Sequence, residues 1–267
     1  VKLPISRTAL GALGDRLSRA AQPEDSDLDL LEQVLEIYGA VMIEEQDRIA
    51  GLGYDAVGRT KTTGVLIDKL RRSGQSGSLK TVQDLAGLRI VMASGEGRVE
   101  QNAIAAAITA TAVAAGHTVR EVDRRANPSH GYRALHLVIT TADKIPVEVQ
   151  VRTNHQHVWA QLVETLGDWW GRGIRYGESL PSPDTLFGEQ DGEIITRRMF
   201  WDQVQGLGDG LATLEEAELT VQAARATVTA AEESLRETAL RIAPAMAFME
   251  QLTDLLKQHR PAPDDLP

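Results

Sequence analysis

Residues 146–152 read PVEVQVR, and this stretch limits the fold most tightly. Residues two apart in a strand share a face, so Val147, Val149 and Val151 lie on one side and Glu148, Gln150 and Arg152 on the other. The valine side asks for a core. The opposite side must then open to water or to a cleft, because a buried, unpaired carboxylate is costly. The run before it repeats the pattern: Arg133, Leu135 and Leu137 point one way, Tyr132, Ala134, His136 and Val138 the other. Two readings stand side by side, a sheet with one plainly solvated face and a sheet whose polar face lines a site.

Helical spacing supplies the layers around such a sheet. Leu28, Leu31, Val34, Leu35, Ile37, Tyr38, Val41 and Met42 predict an amphipathic helix from about Asp27 to Ala50, with Ser26 or Asp27 as its cap. A second helix is expected from about Thr62 to Gly74, followed by the linker GQSGS. Then come a strand over Leu88–Ala93, an alanine-rich helix closed by Gly116, strands over Thr118–Asp123, Arg133–Thr141 and Pro146–Thr153, and a helix from about Gln156 to Trp170. That order implies an α/β (α+β) fold, a small mixed sheet flanked by helices.

Beyond Gly177 the turn formers of SLPSPDTLFGEQDGE read as a linker over 178–195. A helical extension over 196–258 follows. Leu207, Leu214, Val221, Val228, Leu235 and Ile242 stand seven apart, with Ala217, Ala224 and Ala231 three places after three of them. This narrow seam suits close packing against another helix of this chain, of a second copy or of a different protein. Pro244 should end or kink the helix, Ala245–Gln258 would fold back, and the tail 259–267 is expected to be disordered.

The 267 residues contain no cysteine, which excludes disulfides and thiolate metal sites and leaves carboxylate, imidazole or phosphate oxygen for any metal, with magnesium the natural candidate. No stretch approaches the roughly 20 apolar residues of a membrane span. The segment VKLPISRTAL lacks the basic-then-apolar order of a signal peptide, so a cytoplasmic location is expected. Charge is uneven: residues 59–133 hold 12 Lys/Arg against 6 Asp/Glu, between flanks with 5 against 11 and 11 against 21. One basic block in an acidic chain suggests a local anion site, with chance clustering on a solvated face as the plain alternative. Within it, Arg59, Lys61 and Lys69 surround a loop and a helix start without the spacing of a Walker loop. Asp84 reads equally as a magnesium ligand or as a capping aspartate.

Taken jointly, GRTK (58–61), QDLAGLRIV (83–91), HGYRALHLVI (130–139) and VEVQVRTNHQHVWA (147–160) resemble the synthetase domain of the RelA/SpoT family, the alarmone synthetases, over roughly Asp27 to Gly177. The resemblance implies a nucleotidyltransferase-like mixed sheet and a synthetase domain over 1–177. It also implies transfer of the β,γ-pyrophosphate of ATP to a ribose 3′-hydroxyl with release of AMP. Under it, Arg59 and Arg89 match the arginines that sandwich adenine, and Lys61 and Lys69 match contacts to the ATP phosphates. Asp84 and Glu148 match the magnesium-binding and catalytic carboxylates, Glu148 either accepting the hydroxyl proton or holding the ion. Tyr132 matches the aromatic that stacks on the acceptor base, and Arg133, His136 and Gln150 match residues around the acceptor and transferring phosphates.

Two departures bear on the acceptor. Val65 replaces a usual serine, and Ser129 stands where many guanosine-nucleotide synthetases place a lysine. HGYRA, QHVWA and WWGRGIRYG are more similar to the toxic small alarmone synthetases of toxin–antitoxin systems. That subtype implies a growth-inhibiting toxin acting on the tRNA 3′ end, with Arg71, Arg72, Arg124 and Arg125 facing RNA, an antitoxin as partner, and self-association through the C-terminal helices. The alternatives are GDP or GTP as acceptor, an adenosine alarmone product, or a nucleotide-sensing, autoinhibited interaction protein.

Overall fold

The computed structural model describes residues 2–72, 78–80, 82, 84–190 and 192–258. It forms two compact units, Val1–Glu215 and Glu216–Pro267. The first opens with α1 (Arg7–Arg19), capped where the Ser6 hydroxyl accepts from the Ala9 amide at 3.2 Å. Then come α2 (Asp25–Ala50), β1 (Val57–Thr60), α3 (Thr63–Arg72), β2 (Ala86–Val91), α4 (Arg98–Ala114), β3 (Thr118–Asp123), β4 (Leu135–Thr140), β5 (Pro146–Arg152) and α5 (Asn154–Trp170). A 3-10 turn (Arg172–Tyr176) leads to the hairpin β6 (Leu186–Gln190) and β7 (Glu193–Thr196), and α6 (Arg197–Gln258) ends the described chain.

Five strands make one mixed sheet in the order β1-β2-β5-β4-β3, in which β2 and β5 run parallel and the other pairs antiparallel. Its apolar face carries Leu88 and Ile90, then Leu135, Leu137 and Ile139, then Val147, Val149 and Val151. Against these pack Leu31, Val34, Tyr38 and Val41 of α2, Ile104 and Ile108 of α4, and Leu10, Leu13 and Leu17 of α1. The alternation in PVEVQVR thus does what its period requires: all three valines are fully buried. A smaller cluster joins Trp159, Val163, Leu166 and Trp170 of α5 to Ile174 and to Val204 of α6.

Three sequence expectations need correction. The stretch 178–195 is not a plain linker: its turn formers punctuate the β6–β7 hairpin, and Phe187 meets Trp170 edge-on at 5.3 Å and Phe200 at 4.4 Å. The boundary at 177 moves accordingly, because Val204 and Glu215 are buried within the first unit. Pro244 lies inside a continuous α6, so Ala245–Gln258 is no separate returning helix. In addition, α1, legible in the helical spacing of Leu10, Leu13 and Leu17, and the mostly exposed edge strand β1 lie outside the expected elements. The helix end at Gly74, residues 74–77 of the GQSGS linker and the tail 259–267 lie outside the described residues. In the second unit the seam positions Val221, Val228, Leu235 and Ile242 are exposed. Among the described residues, no helix is long and apolar enough to cross a membrane.

Candidate functional site

Sheet register gathers the site. Val57 and Arg59 sit opposite Arg89 and Gly87. Gly87 and Arg89 pair with Glu148 and Gln150, and Gln150 pairs with His136. Side chains two apart share a face, so Arg59, Arg89, Glu148, Gln150, Arg152 and His136 project from the side opposite the valines. They open into a cleft with two adjoining cavities. One, of about 360 Å³, is lined by Val57, Arg59, Arg89, Val91, His157 and Gln161. The other, of about 600 Å³, is lined by Lys69, Arg124, Ser129, Tyr132, His136 and Arg152. Arg59, Lys61, Asp84, Arg89, Glu148 and Gln150 line both.

Asp84 lies between two cations, 2.6 Å from Lys69 Nζ and 2.9 Å from Lys61 Nζ. Burial pushes its carboxyl up, but the bonds to Lys69 and Lys61 outweigh that and hold it below the ordinary value. Glu148 behaves alike: burial raises it, and hydrogen bonds from His136 and Gln150 bring it below the ordinary value. The charge of Asp84 is felt at Glu148 and opposes this lowering. Both groups are therefore carboxylates at neutral pH.

A closed ring of hydrogen bonds surrounds Glu148. Arg152 Nη2 donates to the Tyr132 hydroxyl oxygen at 2.9 Å and to Gln150 Oε1 at 2.8 Å. Gln150 Nε2 donates to Glu148 Oε2 at 2.9 Å. On the other arm the Tyr132 hydroxyl lies 2.8 Å from His136 Nε2, and His136 Nδ1 lies 2.8 Å from Glu148 Oε1. Arginine only donates. In the assignment that follows, the Tyr132 hydrogen is directed at Nε2 and Nδ1–H donates to Glu148, so both arms run from Arg152 to one carboxylate.

Positive charge on this face is under-compensated. Burial, then repulsion from Arg152, lowers the Arg89 guanidinium below its ordinary value. Burial, then Arg89 and Arg152, lowers His157. Arg152 is 2% exposed, and its Nε and Nη1, with Arg89 Nε and His157 Nδ1, find no hydrogen-bond partner among the described residues. The three guanidinium nitrogens are donors, and a buried donor left unmade costs about 1–3 kcal/mol, so they suit acceptor oxygens.

Not every expected residue reaches the cleft. Arg133 turns away and is buried against Glu215 of α6. Arg125 is buried too, bonded to Asp123, Gln101 and Asn102, and so offers nothing to RNA. Arg71 donates to the carbonyls of Ala20 and Ala21. The side chain of Arg72 lies outside the described residues. Of the four expected RNA contacts, Arg124 lines the cleft. Sequence reasoning missed His157, Gln161 and Glu164, whose spacing of four and three on α5 is a legible one-face signal, and it left Arg152 without a role.

Residues 58–166 match the family model described as the region found in RelA/SpoT proteins. A RelA/SpoT region occupies these residues. An uncharacterized protein of Mycobacterium tuberculosis (strain ATCC 25618 / H37Rv) is 35% identical over 183 residues, 66% of this chain and 63% of its own length. The chain thus spans under two thirds of that curated relative. The crystal structure of small alarmone synthetase 1 from Bacillus subtilis has 21% identity and a TM-score of 0.53, covering 74% of this chain and 99% of that one. The same synthetase bound to its product pppGpp has 21% identity and a TM-score of 0.52, covering 72% and 96%. The RelA/SpoT region and the helices around it therefore share the fold of a small alarmone synthetase.

Proposed function

We propose that the RelA/SpoT region is a 3′-pyrophosphokinase that moves the β,γ-pyrophosphate of ATP to a ribose 3′-hydroxyl and releases AMP. What supports this is the pairing of two ionised carboxylates, Asp84 and Glu148, with a wall of under-compensated cations in one cleft. Phosphoryl-type transfer asks for positioning and charge neutralisation rather than a covalent intermediate. Arg59 and Arg89, near the apolar Val57 and Val91, fit the flat faces of adenine. Lys61 and Lys69 fit the donor phosphates, Tyr132 the acceptor base, and Glu148 the proton of the attacking hydroxyl.

Among the described residues no group of three acidic or histidine side chains assembles. Two carboxylates still suit magnesium, which commonly completes its shell with substrate phosphates and water. Asp84 and Glu148 would hold it, and when bound it would neutralise charge building on the transferring group.

For the acceptor we carry the tRNA 3′ end, and with it a cytoplasmic growth-inhibiting toxin that an antitoxin restrains. Ser129 brings no cation to the acceptor half, whereas Arg124, Arg172 and Arg175 surround it. The guanosine reading, GDP or GTP, has its own support in the B. subtilis synthetase bound to pppGpp. Label from γ-phosphate-labelled ATP decides between them, with deacylated tRNA in one tube, GDP or GTP in another, and Glu148→Gln as control. Failure to release AMP with every acceptor would leave the nucleotide-sensing reading. The exposed seam of α6 offers a face to a second copy. Sedimentation equilibrium tests this: a mass that drops on Val228→Glu supports it, and a monomeric parent removes it.

A further inference from the structure

The loop carrying Tyr132 is fastened from beneath by the C-terminal helix. Arg133 Nε donates to Glu215 Oε2 at 3.1 Å across 82 residues of chain, and Arg133 Nη2 lies 3.1 Å from the same oxygen. The other oxygen, Oε1, accepts from Gln156 Nε2 at 2.6 Å. Both ends are buried, the side chains being 7% and 2% exposed. A buried ion pair of this kind is costly to break from one side, since the survivor is left uncompensated.

The loop takes left-handed backbone at two successive residues. His130 and Gly131 have φ of 52° and 83°, and a Cβ on Gly131 would lie 2.7 Å from Trp159 Cζ2. Ser129 and Tyr132 close the turn by exchanging amide-to-carbonyl bonds of 3.0 and 3.3 Å. Trp159 beneath it donates to the Val204 carbonyl of α6 at 3.0 Å.

We infer that Glu215 is a positioning residue for the acceptor: through Arg133 it sets the height and tilt of Tyr132. This rests on the pyrophosphokinase reading for what Tyr132 binds, and on the geometry alone for how Tyr132 is held. Among the described residues the polar partners of Glu215 are Arg133 and Gln156, and neither lines the donor half of the cleft with Arg59 and Arg89. Loss of the carboxylate therefore acts on one substrate and not on the other.

Steady-state kinetics of the full chain on whichever of GDP, GTP or deacylated tRNA the parent uses, with amide exchange in parallel, test this. Glu215→Gln raises KM for the acceptor about tenfold or more and leaves KM for ATP within about twofold. The double variant Arg133→Gln/Glu215→Gln removes the stranded charge and recovers part of the loss, a non-additive cycle. The amides of Ser129 and Tyr132 exchange faster in Glu215→Gln while those of β4 and β5 stay protected. Parallel rises in both KM values, an additive cycle, or unchanged exchange at Ser129 and Tyr132 would each overturn the inference. If the parent turns over no acceptor, the pyrophosphokinase reading fails and the exchange measurement still decides how the loop is held.

Discussion

At the scale of single residues, the cleft depends on groups whose charge is set by their neighbours. Glu148 ends both arms of a hydrogen-bonded ring, so replacing it by an amide removes the charge while keeping the volume. Glu148→Gln is expected to lower AMP release by about 10³-fold with an unchanged circular dichroism spectrum. Asp123 offers a test unrelated to catalysis. Burial pushes its carboxyl up, but the Arg125 guanidinium and the backbone amides of Arg125 and Ala126 outweigh this and hold it at about 2, against an ordinary 3.8. A depressed acid stabilises the fold fully above its ordinary value and loses that contribution as pH falls through its folded one. Denaturant midpoints should therefore fall between pH 3.8 and about 2, and Asp123→Asn should flatten that part of the profile.

Among elements, the parallel pairing of β2 with β5 puts Asp84, just before β2, on the same cleft as Glu148 of β5. Local sequence leaves Asp84 open between capping and metal binding, because a cap and a ligand are spelled alike. Only the pairing of strands, whose partners such as Gly87 and Glu148 stand far apart in sequence, brings Asp84 to that cleft. β4 and β5 are legible because one face of each is buried, which forces alternation. By contrast β1 is a four-residue edge strand exposed along most of its length, and no burial imprints a period on it. The turn before β4 makes its own prediction. Gly131→Ala puts a Cβ against Trp159 at a positive φ, and should cost about 1–3 kcal/mol in equilibrium unfolding.

For the molecule as a whole, the first compact unit runs to Glu215, well past the last family motif. Phe200, Trp201, Val204 and Leu211 of α6 cover Trp159 and Trp170 of α5. A chain ending at Gly177 should therefore lose its near-ultraviolet dichroism and aggregate, whereas one ending at Glu215 should keep a cooperative thermal transition. A stable, inhibitory fragment 1–177 would show instead that the extension restrains the site. Sequence alone determined the strand faces, the long helices and the family motifs, since each is written in local periodicity or in contiguous residue types. The family resemblance put Arg133 at the acceptor and Arg125 on RNA, and left Arg152 without a role. One reaches a carboxylate 82 positions away, one is sealed among side chains of α4, and one stands in the cleft with two nitrogens unpaired. An arginine's long side chain and five donors suit any of these fates, and which partner lies within reach is decided only when distant segments pack.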